Sequence, residues 1–312
     1  MRGITAKQLS CFSFRMCLLR VLLTAACCFA VVITVLAECP TDQDKRSIGN
    51  SGILVTDFTV DGTQSLTTQE LAAITGQLAG YCFNDDSEEI EERIRALFQD
   101  QGYFVAKVKG MSIRPVDPLS RPKPVRIEAA VVEGPRYRLA GITFSGNRHF
   151  STTTLRGKFP IREGALFKRS KVAGGLEALR DIFVGEGFLD FYIVPDTTAL
   201  SDAKMMLNLT VHEGPQYRMR KLDIVAPKEL TDKLTTHWEM SEGAVFDKTY
   251  IQKYVDANRS SLPNGFTNED IHVVRDCPKQ MVDVWFMVQA VDPVSTRARQ
   301  NVECEEGKDD NK

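Results

Sequence analysis

The chain has 312 residues, of which 43% are hydrophobic and 26% charged, the composition of an ordinary globular protein. This length allows two or three domains. The formal net charge of -2 gives no basis for nucleic-acid binding, because recognition of phosphates needs a concentrated basic face.

The N-terminal segment has the pattern of an export signal. Four basic residues precede an apolar run from Val21 to Ala37, which ends in small residues just before Glu38. This order is typical of a secretory signal peptide. An uncleaved anchor is the alternative, for which the run is at the short limit of a membrane-spanning helix. We therefore expect a signal peptide or N-terminal anchor at 1–37 and an N-terminal extension at 38–52.

A unit of about eighty residues is predicted to occur three times. The phrase VVEGPRYRLAGITFSGN, Val131 to Asn147, nearly returns as VHEGPQYRMRKLDIVAP, Val211 to Pro227. The phrase EGALF at Glu163 likewise returns as EGAVF at Glu242. Self-similarity at a fixed spacing indicates tandem structural units. The expected boundaries are 53–133, 134–213 and 214–291, followed by a charged C-terminal tail at 292–312.

Each unit has the same predicted order of elements. An alternating strand, such as ILVTDFTV, is followed by a short helix with Ser or Thr at its start. A second helix carries an apolar stripe and ends at a glycine followed by an aromatic residue, as in Gly102-Tyr103, Gly187-Phe188 and Gly265-Phe266. Two strands complete the unit. The stripe is poorer in the third unit, where Asn258 and Ser261 replace apolar residues.

The predicted fold class is therefore α+β, with three tandem β-α-α-β-β units. Each unit is expected to be a three-stranded sheet covered on one face by two helices. Units of this size bury only about 60% of their unfolded surface, so contacts between neighbours should contribute to their stability.

These features resemble the POTRA (polypeptide-transport-associated) domain. The resemblance rests on the element order, the helix ending in Gly-Tyr or Gly-Phe, the Glu-Gly-Pro turn and the Ile-x-Phe-x-Gly-Asn strand. It is strongest between Glu133 and Glu213 and spans about Ile53 to Ala290. The outer units depart from it at the Gly-Asn step, where Gly62-Thr63 and Ala226-Pro227 stand.

The resemblance implies a non-catalytic periplasmic scaffold, associated with the outer membrane, for outer-membrane protein assembly or polypeptide secretion. The expected partners are unfolded or extended polypeptide clients and an outer-membrane assembly subunit. No run of barrel strands is predicted after the third unit, so a β-barrel partner is expected to be encoded separately. An inner-membrane-anchored cell-envelope or division protein remains an alternative, in which the uncleaved N-terminal segment provides the membrane association.

In this family the strand after the second helix usually lies at a sheet edge. Its unpaired N–H and C=O groups can pair with an extended client through the main chain. The candidate client-binding edge residues are Phe104, Val105, Ala106, Lys107 and Val108 in the first unit, Phe191, Tyr192, Ile193 and Val194 in the second, and Ile271, His272, Val273 and Val274 in the third.

Four cysteines follow the N-terminal segment: Cys39, Cys82, Cys277 and Cys304. An even number in an oxidising compartment suggests disulfides, with three possible connectivities. Cys39 lies just before the first strand and could reach Cys82, whereas Cys277 and Cys304 flank the last strand. We favour Cys39–Cys82 and Cys277–Cys304, and the other pairings stay open.

Motifs for catalysis are not found in the sequence. It contains no Gly-x-Ser-x-Gly elbow, phosphate loop or dinucleotide fingerprint. The histidines stand in different units without metal-ligand spacing: His149, His212, His237 and His272. We therefore predict no catalytic residue, no cofactor and no metal site. The alternative from another class is an enzyme whose site has no recognisable motif.

Overall fold

The computed structural model describes residues 52–84 and 87–288, which fold into three successive α+β units. Each unit consists of one small sheet with two helices. The predicted fold class is thus confirmed. The signal peptide or anchor expected at 1–37 and the charged tail expected at 292–312 lie outside the described residues.

The first unit has a four-stranded sheet. Its elements are β1 (Ile53–Asp61), α1 (Thr68–Leu78), β2 (Cys82–Phe83), α2 (Ser87–Asp100), β3 (Lys107–Pro115) and β4 (Lys123–Val132). The strand order is β2-β1-β4-β3, with β1 parallel to β4 and the other pairs antiparallel. The short strand β2 is an addition to the three strands that the sequence predicts.

The second and third units each have a three-stranded sheet. The second contains β5 (Arg138–Ser145), α3 (Thr152–Arg156), α4 (Arg169–Gly185), β6 (Tyr192–Leu200) and β7 (Lys204–His212). The third contains β8 (Arg218–Val225), α5 (Lys228–Thr236), α6 (Lys248–Ala257), two 3-10 turns, β9 (Ile271–Asp276) and β10 (Met281–Met287). Their strand orders are β5-β7-β6 and β8-β10-β9. Single bridges, Arg138 to Leu166 and Arg218 to Val245, stand in the position of β2.

Buried apolar side chains alternate with more exposed ones along the central strand of each sheet and contribute to the three cores. In β10, Val282, Val284 and Phe286 are fully buried and belong to the core of the third unit. The residues between them therefore point to the opposite face of the sheet. The central strand β7 behaves in the same way, with Leu207 and Leu209 at 1% exposure.

The polar residue Asn258, which interrupts the apolar stripe of the third unit, is buried and forms side-chain hydrogen bonds. Its Nδ2 donates to the carbonyl of Tyr254 at 2.9 Å, and its Oδ1 lies 2.7 Å from His237 Nδ1. Because α6 ends at Ala257, Asn258 joins the end of this helix to the end of α5. A buried amide with both ends satisfied costs far less than an unpaired one.

Candidate client-binding edges and unit junctions

The strand after the second helix lies at an edge of every described sheet. These strands are β3, β6 and β9, each of which pairs on one side with the central strand β4, β7 or β10. Alternate N–H and C=O groups of an edge strand point away from the sheet.

In the first unit, the predicted edge begins three residues too early. Strand β3 starts at Lys107, so only Lys107 and Val108 of the five candidates lie in it. The chain makes a turn first, in which the N–H of Ala106 donates to the carbonyl of Tyr103 at 3.0 Å. Phe104 packs edge-on against Phe167 of the second unit, with ring centroids 4.9 Å apart. Ala106 is buried, whereas the neighbouring Val105 is 40% exposed.

In the second unit, the edge strand is longer than predicted. Phe191 precedes it and stacks on Phe183, with ring centroids 4.2 Å apart. Strand β6 then runs from Tyr192 through Ile193 and Val194 to Leu200. The candidate edge residues predicted from the sequence ended at Val194, and the strand continues through Pro195. Proline is nevertheless tolerated on an edge strand when its nitrogen faces solvent, and the continuing alternation in TTAL was the available signal.

In the third unit, all four candidates lie within β9, namely Ile271, His272, Val273 and Val274. All are half-buried. Arg275 at the end of this strand forms an ion pair with Asp190 of the second unit. The C-terminal end of β9 is therefore held against the preceding unit.

The three edges differ in how they are protected. Strand β3 carries Lys107, Lys109 and Arg114, and its register with β4 shifts between Val108 and Gly110. Charged residues and bulges are common devices that prevent pairing with another strand. Strand β6 pairs with β7 in continuous register over nine residues and carries one charge, Asp196.

Strand β6 also presents apolar side chains to solvent. Tyr192 is 53% exposed, Val194 49% and Leu200 43%. The Tyr192 ring stacks on His212 of β7, with centroids 4.2 Å apart. Of the three edges, β6 is the longest regular one and has the fewest charges, so it is the best candidate for strand addition.

The repeated Glu-Gly-Pro-x-Tyr-Arg phrase forms the junctions between units. The N–H of Tyr137 donates to the carbonyl of Gly102, and the N–H of Tyr217 donates to the carbonyl of Gly187, both at 2.8 Å. These acceptors belong to the glycines that follow α2 and α4. The phrase therefore recurs because each unit must bind the helix end of the unit before it.

The arginine and the glutamate of the phrase also form equivalent hydrogen bonds in both copies. Arg138 donates to the carbonyl of Gly164, and Arg218 to the carbonyl of Gly243, both at 2.8 Å. The glutamates accept backbone N–H groups from the loop after the first strand of their own unit. Glu133 accepts from Ser65 at 3.1 Å, and Glu213 accepts from Arg148 at 2.7 Å and His149 at 2.9 Å.

The junction between the second and third units contains a buried tyrosine. The Tyr217 hydroxyl, whose residue is fully buried, donates to Asp190 Oδ2 at 2.7 Å. Burial and the adjacent Asp190 carboxylate raise the pKa of Tyr217 to about 12. Asp190 thus receives a hydrogen bond from Tyr217 and the charge of Arg275, which fixes β9 beside the second unit. Sequence reasoning missed Asp190.

Of the four candidate disulfide cysteines, the structure describes two. Cys82 and Cys277 are both disulfide-bonded. Cys39 and Cys304 lie outside the described residues, so the pairings Cys39–Cys82 and Cys277–Cys304 stay predictions.

Among residues 52–84 and 87–288, two kinds of feature are absent. Within these ranges, no group of three or more His, Cys, Asp or Glu side chains is arranged to hold a metal ion. None of the helices described there has the length and hydrophobicity of a membrane-spanning segment.

The geometry of the middle unit agrees with a known family. Residues 137–214 match the POTRA family model, described as "Surface antigen variable number repeat". The middle unit is a POTRA domain. The chain is also similar to the crystal structure of Haemophilus influenzae BamA POTRA3-5, with a TM-score of 0.57 and 16% identity over 77% of this chain and 97% of that one. At this identity the likeness shows the fold alone, which the three units share with POTRA domains.

Two curated relatives match parts of this chain. A "Putative outer membrane protein assembly factor" of Treponema pallidum (strain Nichols) is 25% identical over 230 residues, which are 72% of this chain and 26% of the relative. "Outer membrane protein assembly factor BamA" of Neisseria meningitidis serogroup B is 27% identical over 128 residues, 36% of this chain and 16% of the relative. The matched region is thus a minor part of each relative.

Proposed function

We propose that the chain is a non-catalytic periplasmic scaffold, associated with the outer membrane, that acts in outer-membrane protein assembly or polypeptide secretion. Its partners are unfolded or extended polypeptide clients and an outer-membrane assembly subunit. The POTRA match of the middle unit and the similarity to two proteins described as assembly factors support this proposal.

The observation that carries the binding mode is the open edge of β6. Main-chain pairing with this edge tolerates many client sequences, because every residue except proline offers the same N–H and C=O groups. The exposed side chains of Tyr192 and Val194 add an apolar surface beside the edge. A client segment with alternating apolar residues would therefore bind better than a uniformly polar one.

Pro195 sets which groups of β6 a client can use. Because a proline nitrogen in an edge strand faces away from the sheet, the residues two positions away on either side also point their backbone groups outward. Ile193 and Thr197 therefore donate on the open side, whereas Pro195 offers only its carbonyl. The outward-facing N–H groups of β6 are therefore interrupted at Pro195. A bound client receives no hydrogen bond from β6 at this position.

Photo-crosslinking in cells tests the proposal. A photoreactive residue at Val194 should yield adducts with outer-membrane clients or assembly subunits. The matched control is Ser145, which is exposed on the same sheet but lies on β5, at the edge opposite β6. Equal adducts at both positions would contradict binding at β6. Adducts only with division or peptidoglycan proteins would favour the anchored cell-envelope alternative.

A backbone substitution separates edge pairing from side-chain contact. Thr197→Pro removes one outward N–H, and we expect it to weaken crosslinking from Val194 while the sheet stays intact. Thr197→Val changes the side chain and keeps the N–H, so crosslinking should persist. Loss of adducts in both variants would show that the side chain, not strand addition, matters.

The location is tested at the N-terminus of the purified protein. A cleaved export signal predicts that the mature chain begins near Glu38, and fractionation should find it in the periplasm or with the outer membrane. A chain that begins at Met1 and fractionates with the inner membrane would contradict the proposed location.

A further inference from the structure

Glu92 links the first two units by binding two arginines at once. It pairs with Arg95 of its own helix α2 and with Arg169, the first residue of α4, the latter at 2.8 Å. The two helices pack against each other across the junction. Because an acid placed between two cations offsets their mutual repulsion, Glu92 allows both arginines to lie at this helix contact.

The junction between the second and third units has the same two cations. Arg180 occupies the position of Arg95, since each stands seven residues before the glycine that follows its helix. Lys248 occupies the position of Arg169, since each stands two residues after the phenylalanine of EGALF or EGAVF and is the first residue of its helix. Helices α4 and α6, which carry these two cations, also pack against each other.

The second junction lacks the bridging acid. Glu177, the counterpart of Glu92 in the repeat, is exposed. Within residues 52–84 and 87–288, neither Arg180 nor Lys248 forms an ion pair. A cation at the first position of a helix also faces the positive end of the helix dipole. The contact between α4 and α6 therefore carries two positive charges that no acid bridges.

Two acids close to this contact already have other partners. Asp247 caps α6, where its Oδ1 accepts the N–H of Thr249 at 2.8 Å. Asp190 pairs with Arg275 at the end of β9 and accepts the hydroxyl hydrogen of Tyr217. Both carboxylates are thus engaged in holding the fold.

Lys248 is affected by the unbalanced charge around it. Partial burial and the charges of Arg180 and Arg275 lower the pKa of Lys248. A lowered pKa means that the surroundings disfavour the charged form of this lysine. An added negative charge between Arg180 and Lys248 would relieve that repulsion, as Glu92 does at the first junction.

We propose that an acidic side chain of a partner protein binds between Arg180 and Lys248, at the junction of the second and third units. It takes the place that Glu92 holds at the first junction. A carboxylate fits because its two oxygens can accept hydrogen bonds from a guanidinium and an ammonium group together. Such a partner links α4 to α6 across the junction. This contact is separate from strand addition at β6.

Fluorescence anisotropy of a dye-labelled hexaglutamate peptide tests the proposal on the purified chain. The double variant Arg180→Gln/Lys248→Gln should bind the peptide roughly ten-fold more weakly than wild type. The matched control Lys171→Gln/Lys253→Gln removes two exposed lysines from the same helices and should stay within about two-fold. Equal losses in both double variants would show a general charge attraction and overturn the proposal.

Two glutamate substitutions test the equivalence of the junctions. Glu92→Gln leaves Arg95 and Arg169 without their acid, so a second site of the same kind should appear and the peptide bound at saturation should double. No increase would overturn the equivalence and the proposal with it. Glu177→Gln should leave the affinity unchanged. A marked gain would show that Glu177 already neutralises the two cations in solution, which also overturns the proposal.

The remaining variants separate other occupants from a partner protein. Replacement of the five acidic residues within 303–310 by their amides should leave peptide binding unchanged. Binding that appears only in this variant would identify the chain's own tail as the occupant. Vesicles of phosphatidylglycerol should bind wild type and Arg180→Gln/Lys248→Gln equally, and a loss in the variant would assign the cations to a membrane surface. Thr197→Pro in β6 should not affect peptide binding. Any of the opposite results overturns the proposal.

Discussion

Asp100 Oδ1 in the first unit accepts a hydrogen bond from the backbone N–H of Ser170 in the second unit, at 2.7 Å. Ser170 lies in the first turn of α4, whose own N-cap, Lys168, makes no side-chain cap. One unit therefore caps a helix of the next. In the third unit Asp247 caps α6 locally, and the counterpart of Asp100 in the repeat is Gly185, which has no side chain that could cap it.

Asp100→Ala should remove this cap and weaken the junction. We expect a loss of about 1 kcal/mol, the usual cost of a lost N-cap. Hydrogen exchange at the Ser170 amide measures the local effect. Asp100→Asn should retain most of the protection, because asparagine caps as well as aspartate. In the Asp100→Ala background, Lys168→Asp should restore protection by supplying a side-chain cap at the helix's own N-cap position. Unchanged exchange at Ser170 in Asp100→Ala would contradict the capping role.

Gly146→Ala and Gly164→Ala form a matched pair in the second unit. Both glycines have φ of +79, so each alanine pays about 1–2 kcal/mol for the left-handed conformation. A Cβ on Gly146 would also lie 2.3 Å from the carbonyl oxygen of Val211, whereas nothing lies within 4 Å of one on Gly164. Chemical denaturation should therefore show a clearly larger loss for Gly146→Ala. Equal losses would mean that the carbonyl of Val211 does not lie close enough to Gly146 to clash with a Cβ there.

Glu213→Ala should loosen the loop after β5. Glu213 accepts hydrogen bonds from the N–H groups of Arg148 and His149, and each bond contributes about 1 kcal/mol. The amides of both residues should exchange faster in the variant. Glu163 is also a repeated turn glutamate, but it is exposed, so Glu163→Ala should leave the exchange unchanged. Similar effects of the two substitutions on the exchange of these amides would show that Glu213 does not hold the loop through its hydrogen bonds.

The sequence was sufficient to predict the fold of each unit, but not the contacts between units. Self-similarity and alternation predicted three β-α-α-β-β units, since burial of one sheet face imposes a period of two on every copy. Phe104 could not be placed in the same way, because its core belongs to the following unit. Asp100 and Asp190 were missed for the same reason. Their hydrogen-bond partners belong to the next unit. The residues around each aspartate show no sequence pattern that would predict so distant a partner.

Edge strands were located only approximately, for a related reason. A residue such as Ala106 follows a helix end and precedes a strand, so either conformation fits its apolar side chain. The structure decides through the turn bond from Ala106 to Tyr103. The length of β6 was underestimated, because the predicted edge residues ended at Val194 whereas the strand runs on through Pro195 to Leu200. A proline is acceptable there because the strand lies at an edge.

The Tyr217–Asp190 hydrogen bond predicts loss of stability in alkaline solution. The ordinary pKa of tyrosine is near 10, and burial beside Asp190 raises that of Tyr217 to about 12. The folded state therefore keeps its proton while the unfolded chain releases one. The contribution of this raised pKa is fully present below pH 10 and is lost as the pH rises towards 12.

Tyr217→Phe should remove that pH dependence along with the hydrogen bond. At pH 8 we expect the variant to be less stable by about 1.5–3 kcal/mol, because the bond involves a charged acceptor. The two stability curves, measured by urea denaturation at successive pH values, should converge between pH 10 and 12. Tyr192→Phe is the control, since this tyrosine is 53% exposed, and it should change the free energy of unfolding at pH 8 by less than about 0.5 kcal/mol. Parallel curves for wild type and Tyr217→Phe across the alkaline range would contradict a buried, proton-retaining Tyr217 at the junction.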